Sequence, residues 1–402
     1  MSSYRSLHRQ EILPGTAIWD IATAPLLSSN HATSVANTAV SSATHWRFLT
    51  ATSDGIVRLY SAAEASLDAK QDVLDASALS VTLTHVLLGP SQTYPVTGRV
   101  LGCTQVSVAR NYVGDDDDAG NLVVASLELP GTVRIWELDE RMDDRLPRTT
   151  PDLTDENDSP SQIRALHEFT VPNATGTTLR LCPPRLQGVG GDVVIAVGCL
   201  DGTVALVATG LATPQRVDHA GKSKEPTKAG TVLDSWGSQG SAVPLCFTWH
   251  PVQPQTLAVG REDGIVDVLT DSRKSQHRFT QHENPVRGVA FTDDGHLLVA
   301  GSDDGFLTIW DFSRPVPALV HHVTMAHRSM ILKATPLDHR RYVTTGADRQ
   351  LHVWNVGQMS TGPVHTFQTD HSVWCTERVV RGASRLVTGS DTGWLQVYSL
   401  AK

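Results

Sequence analysis

Apolar and polar positions alternate in a pattern that repeats three times in the last third of the chain. Residues 298–310, 343–354 and 386–398 each consist of an apolar strand, a short polar turn and a second apolar strand that ends in an aromatic residue. A histidine precedes each unit, and it stands 28, 27 and 27 positions before the closing aromatic residue. This regular separation indicates one strand–turn–strand unit used several times.

Four more units of the same kind precede these three, at residues 48–60, 122–136, 194–207 and 257–269. Asp-Gly pairs occupy the turn at positions 54, 201, 263 and 304, and Pro130 replaces the aspartate in the second unit. Glycine accepts a positive φ and aspartate bonds the turn backbone, so these pairs predict tight hairpins.

A repeat of about 40 to 45 residues, with a histidine early and a Trp-Asp pair late, is typical of WD-repeat blades. The seven units therefore predict an all-β, seven-bladed WD-repeat β-propeller, in which each blade packs mainly on its neighbours. We expect the stretch from Tyr4 to Gln10 to close the ring as the outer strand of the last blade, paired with residues 394–399.

The spacing between turns is 41 to 44 residues in the second half of the chain but 62 to 76 in the first half. The additional residues have loop composition and too few apolar side chains to build a core. We therefore predict one domain over residues 1–402, with surface insertions near 61–80, 113–120, 139–162 and 214–242.

Composition narrows the class of protein. A net charge of −9 argues against a direct grip on nucleic acid, which requires a basic face. The five cysteines are an odd number without CxxC spacing, which favours reduced thiols. We find no signal peptide and no apolar run long enough to span a membrane. These features predict a soluble protein of the cytoplasm and nucleus.

Two repeats combine a histidine, a turn aspartate and a tryptophan, which could suggest catalysis. The residues are His282, Asp304 and Trp310 in one repeat and His327, Asp348 and Trp354 in the next. Because the set recurs from blade to blade, we assign it to a buried hydrogen-bond network completed by a serine or threonine. In the last blade Thr392 replaces the aspartate, so we expect His371 to lack its usual partner.

Other candidate chemistry is weak. The run from Asp115 to Asp118 lacks the ligand spacing of a calcium loop, and His321-His322 has no cysteine or carboxylate at zinc spacing. Nucleophile-elbow, Walker and dinucleotide-binding motifs are absent from the sequence. We therefore predict no catalytic residue, no cofactor, no metal and no small-molecule substrate.

A protein-binding surface is better supported. The starts of the innermost strands and the tight turns share one face of a propeller, around the mouth of its channel. We predict that partners bind there through Trp19, Leu245, Glu262, Arg287, Asp303, Leu332, Trp374 and Asp391, with Ser53 and Ala347 at equivalent turn positions. Aromatic and arginine side chains with a polar rim are typical of binding hot spots. The alternative is that Trp19 and Trp374 are core residues that fill the space between the first and last blades and bind no partner.

Several segments resemble one family, the WD-repeat subunit of the superkiller complex, which in animals is also a component of the RNA polymerase II-associated factor complex. The similarity is greatest at residues 17–22, 285–310, 348–357 and 363–374, and at the C-terminal segment 396–400. The chain departs from that family in its long first-half insertions and in the loop after His371, which is two residues short.

This resemblance implies a non-catalytic scaffold that binds a tetratricopeptide-repeat subunit and helps assemble an RNA helicase complex. Such a complex supplies RNA to the cytoplasmic exosome for 3'-5' mRNA decay, and a role in transcription elongation stays open. The resemblance also implies that partner segments dock around the first and last blades, where Trp19 and Trp374 match the family's patch and Arg287 lies nearby. The alternative function is a reader of histone or other peptide segments, for which Glu262, Asp303 and Asp391 could supply an acidic pocket.

Overall fold

The computed structural model describes residues 5–12, 16–24, 44–64, 79–90, 103–110, 121–138, 160–182, 191–212, 225–237, 239–253, 255–270, 275–379 and 385–400. In chain order, the strands of these residues are β1 (Arg5–Glu11), β2 (Ile18–Ala24), β3 (Thr44–Thr52), β4 (Val57–Glu64), β5 (Leu79–Leu88), β6 (Cys103–Arg110), β7 (Leu122–Glu128), β8 (Thr132–Leu138), β9 (Ser161–Arg164), β10 (His167–Thr170), β11 (Ala174–Leu181), β12 (Asp192–Cys199), β13 (Val204–Ala212), β14 (Val232–Trp236), β15 (Pro244–Trp249), β16 (Leu257–Arg261), β17 (Val266–Leu269), β18 (Ser275–Phe279), β19 (Val286–Phe291), β20 (Leu297–Ser302), β21 (Leu307–Asp311), β22 (Ala318–Val323), β23 (Ile331–Pro336), β24 (Arg341–Gly346), β25 (Gln350–Asn355), β26 (His365–Gln368), β27 (Val373–Val379), β28 (Arg385–Ser390) and β29 (Trp394–Ser399). A short 3-10 helix, Val356–Thr361, precedes β26.

These strands form the seven blades that the repeat predicts. The innermost strands are β2, β6, β11, β15, β19, β23 and β27, and each begins a sheet that continues outward. The predicted strand–turn–strand units are the second and third strands of each blade, as in β20–β21. Their turns have the expected backbone, since Gly55, Gly202, Gly264 and Gly305 all take a positive φ between 77° and 85°.

The core of the molecule lies mainly between neighbouring blades. Seven of the eight apolar clusters of the described residues join two adjacent sheets, and the remaining small cluster lies within the first blade. Trp310 of the fifth blade packs with Val266 and Val268 of the fourth, and Trp354 of the sixth packs with Leu307 and Ile309 of the fifth. Burial of such apolar side chains stabilises the ring through each interface between blades.

The N-terminal strand closes the ring as predicted. β1 pairs antiparallel with β29, from Arg5 opposite Ser399 to Glu11 opposite Trp394. Leu7 of this strand is buried in the cluster that joins the last and first blades. The guanidinium carbon of Arg9 lies 4.3 Å from the centroid of the Trp394 ring, in a cation–π contact. The last blade thus combines both ends of the described chain.

The predicted insertions correspond only in part to loops. Most of the ranges 61–80, 113–120 and 139–162, and the start of 214–242, lie outside the described residues. However, β9 lies partly within the third range and adds parallel to β5, which gives the first blade a fifth strand. β14 lies within 214–242 and forms the outer strand of the third blade, so that range was too wide. An outer strand is half exposed, and its weak apolar alternation resembles that of a loop.

Four cysteines are free thiols in the structure. Cys182, Cys199 and Cys375 are buried, and Cys246 is partly buried. Burial raises the pKa of Cys182 and of Cys246 to about 12, so both carry their proton at neutral pH. In the described part of the chain, no helix is long and apolar enough to cross a membrane.

Candidate interaction site at the channel mouth

Each innermost strand begins with an irregularity in its pairing. In β2, Ile18 lies opposite Thr52 and Asp20 lies opposite Ala51, so Trp19 between them has no partner in the ladder. The same one-residue bulge leaves out Leu245, Arg287, Leu332 and Trp374 in the fourth to seventh blades. A β-bulge re-aims the side chain of the additional residue. The five bulge residues are the five inner-strand residues that the sequence singled out.

The bulges direct these five side chains into one cavity of about 280 Å³ at the mouth of the channel. Trp19 and Trp374 meet there edge to face, with ring centroids 5.0 Å apart. Both tryptophans are partly exposed, and neither belongs to the buried cluster that joins their two blades. They therefore contact each other across the junction of the first and last blades while they also line the cavity.

Backbone hydrogen bonds hold the acidic residues at the rim of the mouth, Glu262, Asp303 and Asp391, next to the inner strands. In five blades the residue before the turn donates its N–H to the carbonyl two positions before the bulge residue, as from Glu262 to Val243 and from Asp391 to Ser372. Ser53, Asp303 and Ala347 make the same bond in their own blades. This hydrogen bond explains why turn residues and inner-strand residues share one face.

The rim carboxylates differ in their surroundings. Asp303 is held by Arg287, with Nε donating to Oδ1 at 2.7 Å and Nη2 donating to Oδ2 at 2.8 Å. Glu262 is exposed to solvent. Oδ1 of Asp391 and Nε1 of Trp374 are buried and have no hydrogen-bond partner among the described residues. The mouth thus contains polar atoms that this part of the chain leaves unsatisfied.

Sequence reasoning missed the contribution of the second and third blades and one residue of the sixth, Lys333. Gln105, Thr177, Thr178, Arg180 and Lys333 also line the cavity. The available signal was the charge of Arg180 and Lys333, each of which lies directly between two apolar residues of an inner strand. Counting from the blade histidine does not find them, because neither residue occupies the bulge position.

A charged cluster lies beneath these residues. Asp20 is fully buried, and its carboxylate accepts from Nη1 of Arg180 at 3.1 Å and from Nζ of Lys333 at 3.2 Å. Burial acts to raise the pKa of Asp20, but Lys333 and Arg180 outweigh it and hold that pKa below its usual value. Burial raises the pKa of the neighbouring Glu377 to about 7 despite the same two cations. At neutral pH the positive charges of Arg180 and Lys333 are therefore opposed by only one full negative charge, that of Asp20.

The histidine network is complete in the sixth blade. His327 bonds Asp348 through Nδ1 at 3.1 Å and Thr344 Oγ1 through Nε2 at 2.8 Å. Nε1 of Trp354 donates to the same threonine oxygen at 2.8 Å. This arrangement assigns the proton of His327 to Nδ1, with the threonine hydroxyl donating to Nε2. One threonine thus satisfies two buried ring nitrogens.

The fifth blade has a reduced network. His282 bonds Asp304 at 3.0 Å and Thr308 at 2.8 Å, but Nε1 of Trp310 has no hydrogen-bond partner among the described residues. The expectation that Trp310 joins the network was therefore wrong. Ala300 occupies the register position that Thr344 has in the next blade, and alanine has no hydroxyl to accept from the indole.

The turn of the last blade has Thr392 at the position where the fifth and sixth blades have the aspartate that bonds the blade histidine. His371 stacks on Trp394 instead, with ring centroids 6.0 Å apart and planes within 11°. The hydroxyl of Thr392, which replaces the aspartate, contacts Ser390 at 3.2 Å. An aromatic contact therefore takes the place of the usual ion–imidazole pair.

One group in the described residues has the composition of a metal site. Ligand atoms of His327, Asp348 and His352 lie within 4.8 Å of one another. Both ring nitrogens of His327 are already engaged within the blade, and Nδ1 of His352 bonds Thr366 Oγ1 at 2.8 Å. Burial lowers the pKa of His352 to about 4, so it is neutral at physiological pH. We assign this group to the structural network of the sixth blade.

Comparison with known proteins matches the repeat and the fold. Residues 273–311 match the family model described as WD domain, G-beta repeat. The WD40 β-propeller domain of Doa1 superposes with a TM-score of 0.57 at 14% identity, covering 100% of this chain and 99% of that one. The chain is therefore a seven-bladed β-propeller that is similar in fold to the WD40 propeller of Doa1.

Sequence relatives are similar over shorter stretches. The LEC14B protein of Lithospermum erythrorhizon is 29% identical over 24% of this chain and 21% of its own length. Human WD repeat-containing protein 36 is 31% identical over 30% of this chain and 14% of its own. U3 small nucleolar RNA-associated protein 15 of Saccharomyces cerevisiae is 24% identical over 38% and 30%. The matches thus span less than a third of each of these relatives.

Proposed function

We propose that this protein is a non-catalytic interaction scaffold whose partner binds at the mouth of the channel. The observation that carries the proposal is the convergence of five bulge residues, including Trp19 and Trp374, on one cavity. WD40 propellers typically act as platforms for other proteins, and partly exposed tryptophans that a partner can desolvate dominate many interfaces.

The proposed mechanism is recognition by aromatic burial. Trp19 and Trp374 already hold each other edge to face, so little side-chain freedom is lost when a partner covers them. Arg287 is also positioned beforehand, because Asp303 fixes its guanidinium through two hydrogen bonds. A short partner segment laid across the cavity would thus meet a largely preformed surface.

We further propose that the partners are a tetratricopeptide-repeat subunit and, through it, an RNA helicase of a superkiller-type complex. This assignment places the protein in the cytoplasm and nucleus and assigns it to exosome-mediated mRNA decay, with transcription elongation as a second setting. Support comes from the motif resemblance over residues 285–310 and 348–374. The relative named for U3 small nucleolar RNA association lends general support to a place among RNA-processing assemblies.

The alternative, a reader of histone tails, fits the cavity less well. A pocket for lysine or arginine requires carboxylates within it, but Glu262, Asp303 and Asp391 are not among the residues that line the cavity, and Asp303 is already paired with Arg287. Arg180 and Lys333 line the same space and would repel a cationic side chain. The aromatic pair remains the only lining feature that favours such a reader within the described residues.

An affinity pull-down from the source cells tests the proposal. Wild-type protein is compared with Trp19→Ala/Trp374→Ala and with the control Leu319→Ala/Val320→Ala, which removes exposed apolar side chains from β22. We expect a tetratricopeptide-repeat protein and a helicase with the wild type and the control, and neither with the tryptophan variant. Recovery of histones, or equal recovery with the folded tryptophan variant, would refute it.

A further inference from the structure

We infer that the segment bound at this mouth presents an acidic side chain beside a bulky apolar one. The inference rests on the proposed function, because it specifies the chemistry of the partner that the mouth accepts. Three cationic side chains, those of Arg180, Arg287 and Lys333, line the cavity together with the apolar and aromatic residues. None of the described side chains that line it is a carboxylate.

The cations retain unused hydrogen-bond donors. All hydrogen bonds of the Arg180 side chain leave from Nη1, to Asp20, Gln105 and its neighbour's carbonyl, so Nε and Nη2 have no acceptor among the described residues. Nζ of Lys333 has one such acceptor, Asp20, although an ammonium group carries three protons. A carboxylate entering the cavity would find several charge-assisted donors at once.

These donors can be reached from solvent. Arg180 has 24% of its side chain exposed, Lys333 has 18% and Arg287 has 37%, whereas only 1% of the Asp20 side chain is exposed. The anion that compensates the cluster thus lies beneath its cations, and the cations face the cavity. A ligand therefore meets the positive side of the cluster first.

The charge balance of the cluster points the same way. Arg180 and Lys333 share one buried carboxylate, that of Asp20. Burial keeps the nearby Glu377 substantially protonated at neutral pH, so it offsets the second cation only in part. An acidic side chain from the partner would complete the balance, while an arginine or lysine would add a further positive charge in a partly desolvated space.

The rest of the cavity specifies the apolar side chain. Leu245 and Phe247 of β15 and Leu332 of β23 line it beside Trp19 and Trp374. A volume of about 280 Å³ accommodates one large aliphatic or aromatic side chain together with a carboxylate. The two recognition elements lie within the same cavity, so they must be close together in the partner segment.

Selection from a displayed library of short random peptides tests the inference on the purified full chain. Peptides that also bind Trp19→Ala/Trp374→Ala are subtracted. We expect the remainder to carry aspartate or glutamate next to a leucine, phenylalanine or similar residue. Tryptophan-dependent peptides that carry arginine, lysine or no charge would overturn the inference alone. A failure to enrich any tryptophan-dependent peptide would overturn the proposed function as well.

Titration of a selected, labelled peptide provides a second test by fluorescence anisotropy. Replacing its acidic residue by the amide, or making Arg287→Gln or Lys333→Gln in the protein, should weaken binding about tenfold. Arg314→Gln removes an exposed cation from the loop after β21 and serves as the control, with no expected effect. Lys333→Gln leaves Asp20 paired with Arg180, and thermal unfolding checks that each variant is folded. Equal affinity for acid and amide peptides would contradict a carboxylate-binding mouth.

Discussion

The two histidine networks predict unequal costs for removing one hydroxyl group. Thr344 bonds the ring nitrogens of both His327 and Trp354, whereas Thr308 bonds one ring nitrogen, that of His282 at 2.8 Å, and otherwise reaches only the backbone carbonyl of Ala300 at 3.5 Å. The variants Thr344→Val and Thr308→Val delete the hydroxyl and nearly conserve volume, so the change is confined to hydrogen bonding. Both threonines are fully buried, which prevents water from taking the place of the lost group.

The magnitude follows from the number of groups left without a partner. A buried polar atom that loses its hydrogen bond costs about 1–3 kcal/mol. Thr344→Val leaves two such atoms, Nε2 of His327 and Nε1 of Trp354, without a hydrogen bond and should lower the free energy of unfolding by about 3 kcal/mol. Thr308→Val abandons one and should cost about half as much.

Urea denaturation, followed by tryptophan fluorescence, measures the difference as a shift in midpoint at constant slope. The wild type and the two variants are compared at one pH and one protein concentration. The reasoning is refuted if the two variants lose the same stability, or if Thr344→Val costs less than about 0.5 kcal/mol, the usual size of a surface substitution.

Three further predictions concern the mouth, the channel and the closure of the ring. Trp374→Ala should weaken partner binding by about 2 kcal/mol or more while thermal unfolding stays near that of the wild type; a large loss of folding would identify Trp374 as a plug between blades. The pKa of Glu377 is raised to about 7 in the folded state. Its protonated carboxyl therefore contributes in full to the free energy of unfolding below about pH 4.5, and this contribution is lost as the pH rises through 7. Relative to wild type, Glu377→Gln should therefore raise the free energy of unfolding more at pH 8 than at pH 5, and the gain at pH 8 should exceed that at pH 5 by roughly 3 kcal/mol at most. Equal gains at the two pH values would contradict the burial of this carboxyl. Leu7→Asp places a charge in the cluster that joins the last and first blades and should lower the melting temperature by several degrees, whereas Ser6→Asp at an exposed position of the same strand should have little effect.

Local sequence determined the blades and the position of the mouth residues. A hairpin depends on residues that are close in the chain, so the Asp-Gly pairs and the alternation around them predict each turn. The bulge at the start of the inner strand follows the blade histidine by five positions at Arg287 and Leu332 and by three at Trp374, so counting from the histidine finds it once the shorter loop after His371 is allowed for. The outer strand β14 was missed because a half-exposed strand has a weak apolar pattern.

The ion pairs inside the channel could not be predicted from the sequence, because they form only when the ring is closed. Asp20 meets Arg180 and Lys333 across separations of 160 and 313 positions, and no periodicity links three residues that are so far apart. Whether a tryptophan has a partner also depends on register, since Ala300 and Thr344 occupy the same place in successive blades with different results. The sequence by itself therefore determined the repeated unit, because its interactions are local. The tertiary structure alone decided which charges share the channel, because those contacts exist only once the first blade meets the last.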